Sequence, residues 1–259
     1  MNTNLPVLAR KTFNSLRRNG VINTFYLVLT TPFRSHIGQR NTDLIFSKED
    51  LEHRFTKIYQ LKYWGRTRSA SGGGSTLEYT ANLRTKLPDL LKRYSILSIL
   101  DAPCGDLNWM KHVLKEHPVN YIGGAIVAPL VESNNKKYKT DTIRFTQIDL
   151  TRDKFPYADL MLCRDCLIHL SNKDIRAVLQ NFIDSKIKYL LTTTLVHSNE
   201  HTNEDVSSGG HREIDLFSAP FNFPADVLYR IEDWQEPDPK KEMCLWTRDQ
   251  VIAAVNSME

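Results

Sequence analysis

The chain has 259 residues, of which 41% are apolar, and a formal net charge of +4. That is enough for one sizeable core with an extension, and too even in charge for the concentrated basic stripe of a nucleic-acid binder. Four cysteines are too few for a disulfide scaffold. No secretory signal opens the chain, and the apolar stretch VINTFYLVLT at 21–30 is too short to span a bilayer. A soluble cytoplasmic protein is expected, with peripheral membrane contact left open for that stretch. The basic groups Lys11, Arg17, Arg18 and Lys136, Lys137, Lys139 read as solvated faces.

Residues 5–30 read as one or two short helices broken at Gly20, with Leu5, Leu8, Phe13 and Leu16 as an apolar stripe. Thr31-Pro32 ends them, and residues 34–46 look irregular. Ser47 followed by Glu49 and Asp50 predicts a helix over 48–62 that buries Leu51, Phe55, Ile58 and Tyr59. The stretch SASGGGST at 69–76 is either a flexible linker or a loop over a cofactor, with Ser71 able to meet a carboxylate. A helix over 76–93 follows, which Pro88 bends or divides.

Strands are then expected at 95–100, 119–125, 143–148, 159–164 and 187–194, with helices at 107–116, 129–137 and 172–185. This βαβ rhythm belongs to a doubly wound α/β sheet. LYRIEDW at 228–234 and EMCLWT at 242–247 flank the turn-like EPDPKK and read as a closing hairpin, with a last helix over 249–257. The expected fold is a Rossmann-like, mostly parallel seven-stranded sheet with an α-helical N-terminal extension. Residues 1–68 would form a cap, and residues 69–259 the main domain, with a substrate loop over about 196–224.

The informative residues cluster at strand ends, where open α/β sheets bind ligands. Ile96 to Leu100 delivers Asp101, Cys104, Gly105 and Asp106 to that edge. The turn lacks GxGxxG, which sets aside a nicotinamide enzyme. Asp101 or Asp106 can accept from an ammonium, Gly105 gives the backbone room, and Cys104 reads as a packed wall residue. Similar ends follow at YIGGAIV (121–127), FTQIDL (145–150) and LMLCRDCLIHLS (160–171).

This ordered set, from ILDAPCGD at 99–106 to CRD and HLS at 163–171, resembles the class I S-adenosylmethionine-dependent methyltransferases over roughly residues 69–250. The likeness is to bacterial and phage-like members with ILDAPCGD, YIGGDIV and CRD before HLS. It implies S-adenosyl-L-methionine as cofactor and S-adenosyl-L-homocysteine as product. It also implies that the 101–106 turn wraps the methionine part, that Ala125 and Ile126 lie at the ribose position, and that Asp149 accepts from the adenine amino group beside Leu150. Arg164 would lie against the cofactor. Asp149 can instead cap its turn, and Arg164 can be a surface salt-bridge residue.

One position departs from the pattern. Where the resemblance places an acid for the ribose hydroxyls, this chain has Ala125. Losing that charge-assisted pair costs on the order of 1.5–3 kcal/mol of affinity. Three explanations stay open: an aspartate-to-alanine variant, which is favoured because the surrounding motif is intact, a natural weak binder, or another acid in that role.

On the substrate side, Asp165 and His169 would share a face of a helical turn, with His169 as general base and Asp165 orienting it. Alternatively, His169 packs against a backbone carbonyl. Cys163 and Cys166 form a lone CxxC that reads as packed thiols, and no metal site is expected. In the polar loop, His197, Asn199, Asn203, Asp205, His211 and Arg212 are candidate substrate contacts, with Arg212 as the anion grip. The resemblance puts Phe221, Phe223 and Pro224 in the pocket floor; ordinary core filling explains them equally well. Tyr63 and Trp64 lie over the site or in the core. The function expected is methyl transfer to a small-molecule or glycan-like polar acceptor, oxygen preferred. The alternatives are a protein or nucleic-acid methyltransferase, or a noncatalytic binding protein that keeps the fold. A homo-oligomer stays open.

Overall fold

The structure, a computed structural model, describes residues 41–48, 50–63, 69, 71–198 and 201–258. The helices expected over 5–30, and the candidates Trp64 and Asn199, lie outside those residues. The chain divides into two units, 1–47 and 48–259. In the first, residues 41–45 are helical where irregular chain is predicted, and Ser47 Oγ donates to the Leu44 carbonyl at 2.9 Å.

The second unit contains α1 (Leu51–Leu61), α2 (Ala81–Arg93), β1 (Ser98–Asp101), α3 (Met110–Glu116), β2 (Asn120–Ala125), α4 (Ala128–Tyr138) and β3 (Ile143–Gln147). It continues with β4 (Leu160–Cys163), α5 (Asn172–Asp184), β5 (Tyr189–Leu195), β6 (Tyr229–Glu232), β7 (Lys241–Thr247) and α6 (Arg248–Ser257). The strands form one seven-stranded sheet in the order β3-β2-β1-β4-β5-β7-β6. The first five are parallel, β7 runs antiparallel to β5, and β6 runs antiparallel to β7. This is the predicted mostly parallel, doubly wound sheet with its closing hairpin.

Local chemistry sets the boundaries. The helix predicted from residue 48 starts at Leu51, because Asp50 accepts from the His53 amide at 2.8 Å and caps it. Pro88 lies inside α2 without dividing it, and Leu83, Leu87, Leu90 and Leu91 give that helix one buried face. Each such leucine contributes about 1.5–3 kcal/mol relative to exposure.

Alternate strand residues feed opposite faces of the sheet. Ile99, Tyr121, Leu162, Leu191 and Leu245 pack with the leucines of α2 and with Val113 and Leu130. Leu100, Ile122, Met161, Leu190 and Trp246 pack with Ile175, Leu179 and Phe182 of α5 and Val251 of α6. Strand order reverses between β1 and β4, which opens a crevice above their carboxyl ends. Among the described residues, no helix is long and apolar enough to cross a membrane.

Candidate functional site

A cavity of about 420 Å³ occupies that crevice. It is walled by the turn after β1, the ends of β2 and β3, the segment after β4, the 71–75 loop, and Leu51, Phe55 and Tyr59 of α1. Of the sequence-predicted site residues, Ser71, Asp101, Cys104, Gly105, Asp106, Ala125, Ile126, Asp149, Leu150, Arg164, Asp165 and His169 all line it. Arg212 does not.

At one end the turn is tightly built. Gly105 has φ +56°, and a Cβ there would collide with Ser71 Oγ, so both conformation and space require glycine. Asn134 Nδ2 donates to the Gly105 carbonyl at 2.8 Å. Ser69 Oγ donates to Asp106 at 2.9 Å, and Asn108 Nδ2 donates to the Ser75 carbonyl at 2.9 Å. The glycine-rich stretch is therefore docked on the turn and lines the cavity. Asp101 is 3% exposed and accepts from the Tyr121 hydroxyl at 2.6 Å. Burial lifts its carboxyl to about 7, against the opposing pull of Tyr121 and the Arg164 charge.

The other end is apolar, formed by Ile126, Val127, Leu130, Ile148 and Leu150. Asp149 stands at its edge: it lines the cavity, and it caps its own turn, its Oδ1 accepting from Thr151 N at 2.9 Å and Thr151 Oγ1 at 2.7 Å. Between the two ends Ala125 presents only a methyl group. This donor set fits an adenosyl sulfonium: acids for the amino-acid part, and an apolar slot with a carboxylate rim for the base. Ala125, which the resemblance puts beside the ribose, offers no acceptor.

Arg164 is buried, not the surface residue of the alternative reading. Its Nε and Nη2 donate to Asp233 at 2.7 and 3.0 Å, and Nη2 also donates to the Gly74 carbonyl at 2.8 Å. Nη1 lies 3.3 Å from Asp165 Oδ2. Burial works against its charge, but Asp165 and Asp233 hold the proton more firmly than usual. The guanidinium thus clamps the glycine loop to the sheet.

Asp165 and His169 both reach the cavity but have different partners. Asp165 is left-handed at φ +48°, and residues Leu167–His169 form a 3₁₀ turn, so the four-residue helical spacing does not hold. Asp165 Oδ1 accepts from Lys241 Nζ at 2.6 Å. Although burial raises its carboxyl, Arg164 and Lys241 hold it down at about 2. His169 Nδ1 lies 2.8 Å from the Gly210 carbonyl. A carbonyl only accepts, so Nδ1 carries the proton and the basic lone pair is on Nε2. Burial, opposed by the Gly210 contact and aided by neighbouring His211, pushes the imidazole down to about 4.

Arg212 is turned away from the cavity. It donates to the Glu204 carbonyl at 2.7 Å, to Asp205 at 3.2 Å and to Asn172 at 2.9 Å, and so fastens the polar loop to the start of α5. His197 pairs with Asp215 at 2.7 Å, and Asn203 donates to backbone carbonyls. Of the polar loop's candidates, His211 lines the cavity. Phe221 and Phe223 are buried core residues, Phe223 packing edge-on to Trp246 at 4.9 Å. All four cysteines are buried and free. Sequence reasoning missed Tyr79, Asp238 and Lys241, which line the cavity, and Asp233 behind Arg164. Tyr79 donates to Asp238 at 3.0 Å, and Lys241 Nζ sits 5.3 Å above its ring.

No family model and no curated protein matches the chain. Solved structures do. Magnesium protoporphyrin IX methyltransferase (ChlM) from Synechocystis PCC 6803 with bound SAM is 13% identical with a TM-score of 0.52, over 77% of this chain and 97% of that one. The S-adenosylmethionine-dependent methyltransferase SibL is 12% identical with a TM-score of 0.51, over 93% and 74%. Human N-acetylserotonin methyltransferase is 12% identical with a TM-score of 0.50 over 76% of this chain, which spans 56% of that protein's length. At these identities the likeness is one of architecture: the chain has the class I methyltransferase fold.

Proposed function

We propose that this protein transfers a methyl group from S-adenosylmethionine to a polar small-molecule or glycan-like acceptor, with oxygen the preferred atom. The observation that supports this best is one cavity with acids and an apolar slot at its ends, and His169, Asp165 and Lys241 along its wall. The cofactor, when bound, supplies an electrophilic methyl carbon, and the transfer rests largely on alignment. Asp101 and Asp106 take the amino-acid end, Ser71, Cys104 and Gly105 shape the turn around it, and Asp149 and Leu150 take the adenine. Arg164 acts as a positioning residue through Gly74.

His169 is neutral at physiological pH and takes the acceptor's proton at Nε2. The Lys241–Asp165 pair orients the acceptor's polar groups. Leu51, Phe55 and Tyr59 exclude water from one side, in keeping with a cap role for the N-terminal part of the chain. Arg212 serves by holding the loop that carries Gly210 and His211.

Calorimetric titration with S-adenosylhomocysteine tests the cofactor reading. Binding by this chain, or by its Ala125→Asp form, supports it; no binding by either removes it. Labelled methyl transfer from S-adenosylmethionine to pooled sugars and phenols then tests the acceptor class.

A further inference from the structure

Ala125 ends β2 with a methyl group, where a nucleotide-binding sheet carries an acid for the ribose hydroxyls. We propose that Glu52, in the first turn of α1, supplies that carboxylate. The inference rests on the cofactor reading above and concerns the part of the site that reading leaves unfilled.

Gln147, the last residue of β3, pairs in register with Ala125. Its Nε2 donates to the Ile126 carbonyl at 3.1 Å and to Glu52 Oε1 at 2.8 Å. Both amide hydrogens are used, so one side chain ties the Glu52 carboxylate to the backbone just beyond Ala125. Ala125 and Ile126 line the cavity, and so do Leu51, just before Glu52, and Phe55, three residues after it on α1. Glu52 is not itself one of the residues lining the cavity, but Gln147 ties its carboxylate to the backbone of Ile126, which is.

The acids that line the cavity are placed elsewhere or engaged, Asp238 by the Tyr79 hydroxyl. Asp101 and Asp106 belong to the turn after β1, Asp149 is held by Thr151, and Asp165 is held by Lys241 and Arg164. Among the described residues, the second oxygen of Glu52 accepts no hydrogen bond. A carboxylate held through one oxygen keeps acceptor capacity for a vicinal diol. The residue is exposed, which suits a site that trades water for ribose hydroxyls. In this arrangement an acid from a helix replaces an acid from the sheet, and ribose binding also holds α1 over the crevice.

The test is calorimetric titration of the intact chain, Glu52→Gln, Ala125→Asp and the double variant with S-adenosylhomocysteine and with its 2′,3′-dideoxy analogue. Glutamine keeps the size and the exposed position of Glu52, so folding is not at issue. The expected result is at least a tenfold loss of S-adenosylhomocysteine affinity in Glu52→Gln, equal binding of the dideoxy analogue by the chain and Glu52→Gln, and recovery when Ala125→Asp is added. Equal S-adenosylhomocysteine binding by the chain and Glu52→Gln would overturn the role of Glu52 and leave the cofactor reading standing. An equal loss for both ligands would also overturn it, because Glu52 would then only anchor α1. No binding by any form, Ala125→Asp included, would remove the cofactor reading and this inference with it.

Discussion

Replacing Asp233 with asparagine tests the clamp on the glycine loop. The substitution keeps the shape but removes the charge that takes two guanidinium bonds from Arg164. Both side chains are almost inaccessible, at 5% for Arg164 and 0% for Asp233, so water does not screen the pair. Breaking a buried pair typically costs about 3–5 kcal/mol, because a charge is left without compensation. Here Asp165 stays 3.3 Å from Nη1 and the Gly74 carbonyl stays 2.8 Å from Nη2, which places the expected loss at the lower end, about 3 kcal/mol. In a unit of this size that corresponds to a melting point lower by about 6–12 °C. Urea denaturation and a thermal scan would read it. Replacing Arg164 and Asp233 together with leucine should destabilise less than Asp233→Leu alone, since no guanidinium is left buried without Asp233 and Asp165 keeps Lys241. A loss below about 1 kcal/mol for Asp233→Asn, with an unchanged urea slope, would refute the reasoning, because the guanidinium would then have found water.

Gly105→Ala should cost about 1–2 kcal/mol from its left-handed backbone alone, and should abolish S-adenosylhomocysteine binding as the turn moves off Ser71; calorimetry and a melt check both. His169→Gln should leave the fold intact and lower methyl transfer by about 10²–10⁴-fold. With its imidazole near 4, His169 should impose no fall in the rate at saturating cofactor from neutral to mildly acidic pH, and a fall only as pH approaches about 4, as a kcat–pH profile would show. Asp101, at about 7 when folded against an ordinary 3.8, binds its proton more tightly in the folded chain. Its contribution to stability is therefore full below about pH 4 and is lost as pH rises to 7. Asp101→Asn should remove that slope, so the variant should gain stability relative to wild type between pH 5 and pH 8 in urea titrations.

The sheet was legible because its strands are apolar runs separated by amphipathic helices, and that pattern depends only on near neighbours. One wall of the cavity was legible for the same reason: Asp101, Gly105, Asp149 and Arg164 each stand at or after the end of a recognisable strand, and strand ends converge in this fold. The acceptor side was not. The partner of His169 is the Gly210 carbonyl, which no side-chain pattern announces. Arg212 looked like an anion grip in a polar loop, but Asn172 and Asp205 claim its guanidinium. Tyr79, Asp238 and Lys241 meet because β7 inserts between β5 and β6, an antiparallel placement that spacing along the chain does not encode.

The clamp also orders events during synthesis. Arg164 is synthesised after the glycine loop it holds, but before its anchor Asp233, which follows β6 and lies 69 residues on. A chain stopped short of residue 229 would carry every strand of the parallel set and the docked glycine loop, yet lack the buried acid that holds Arg164 in place.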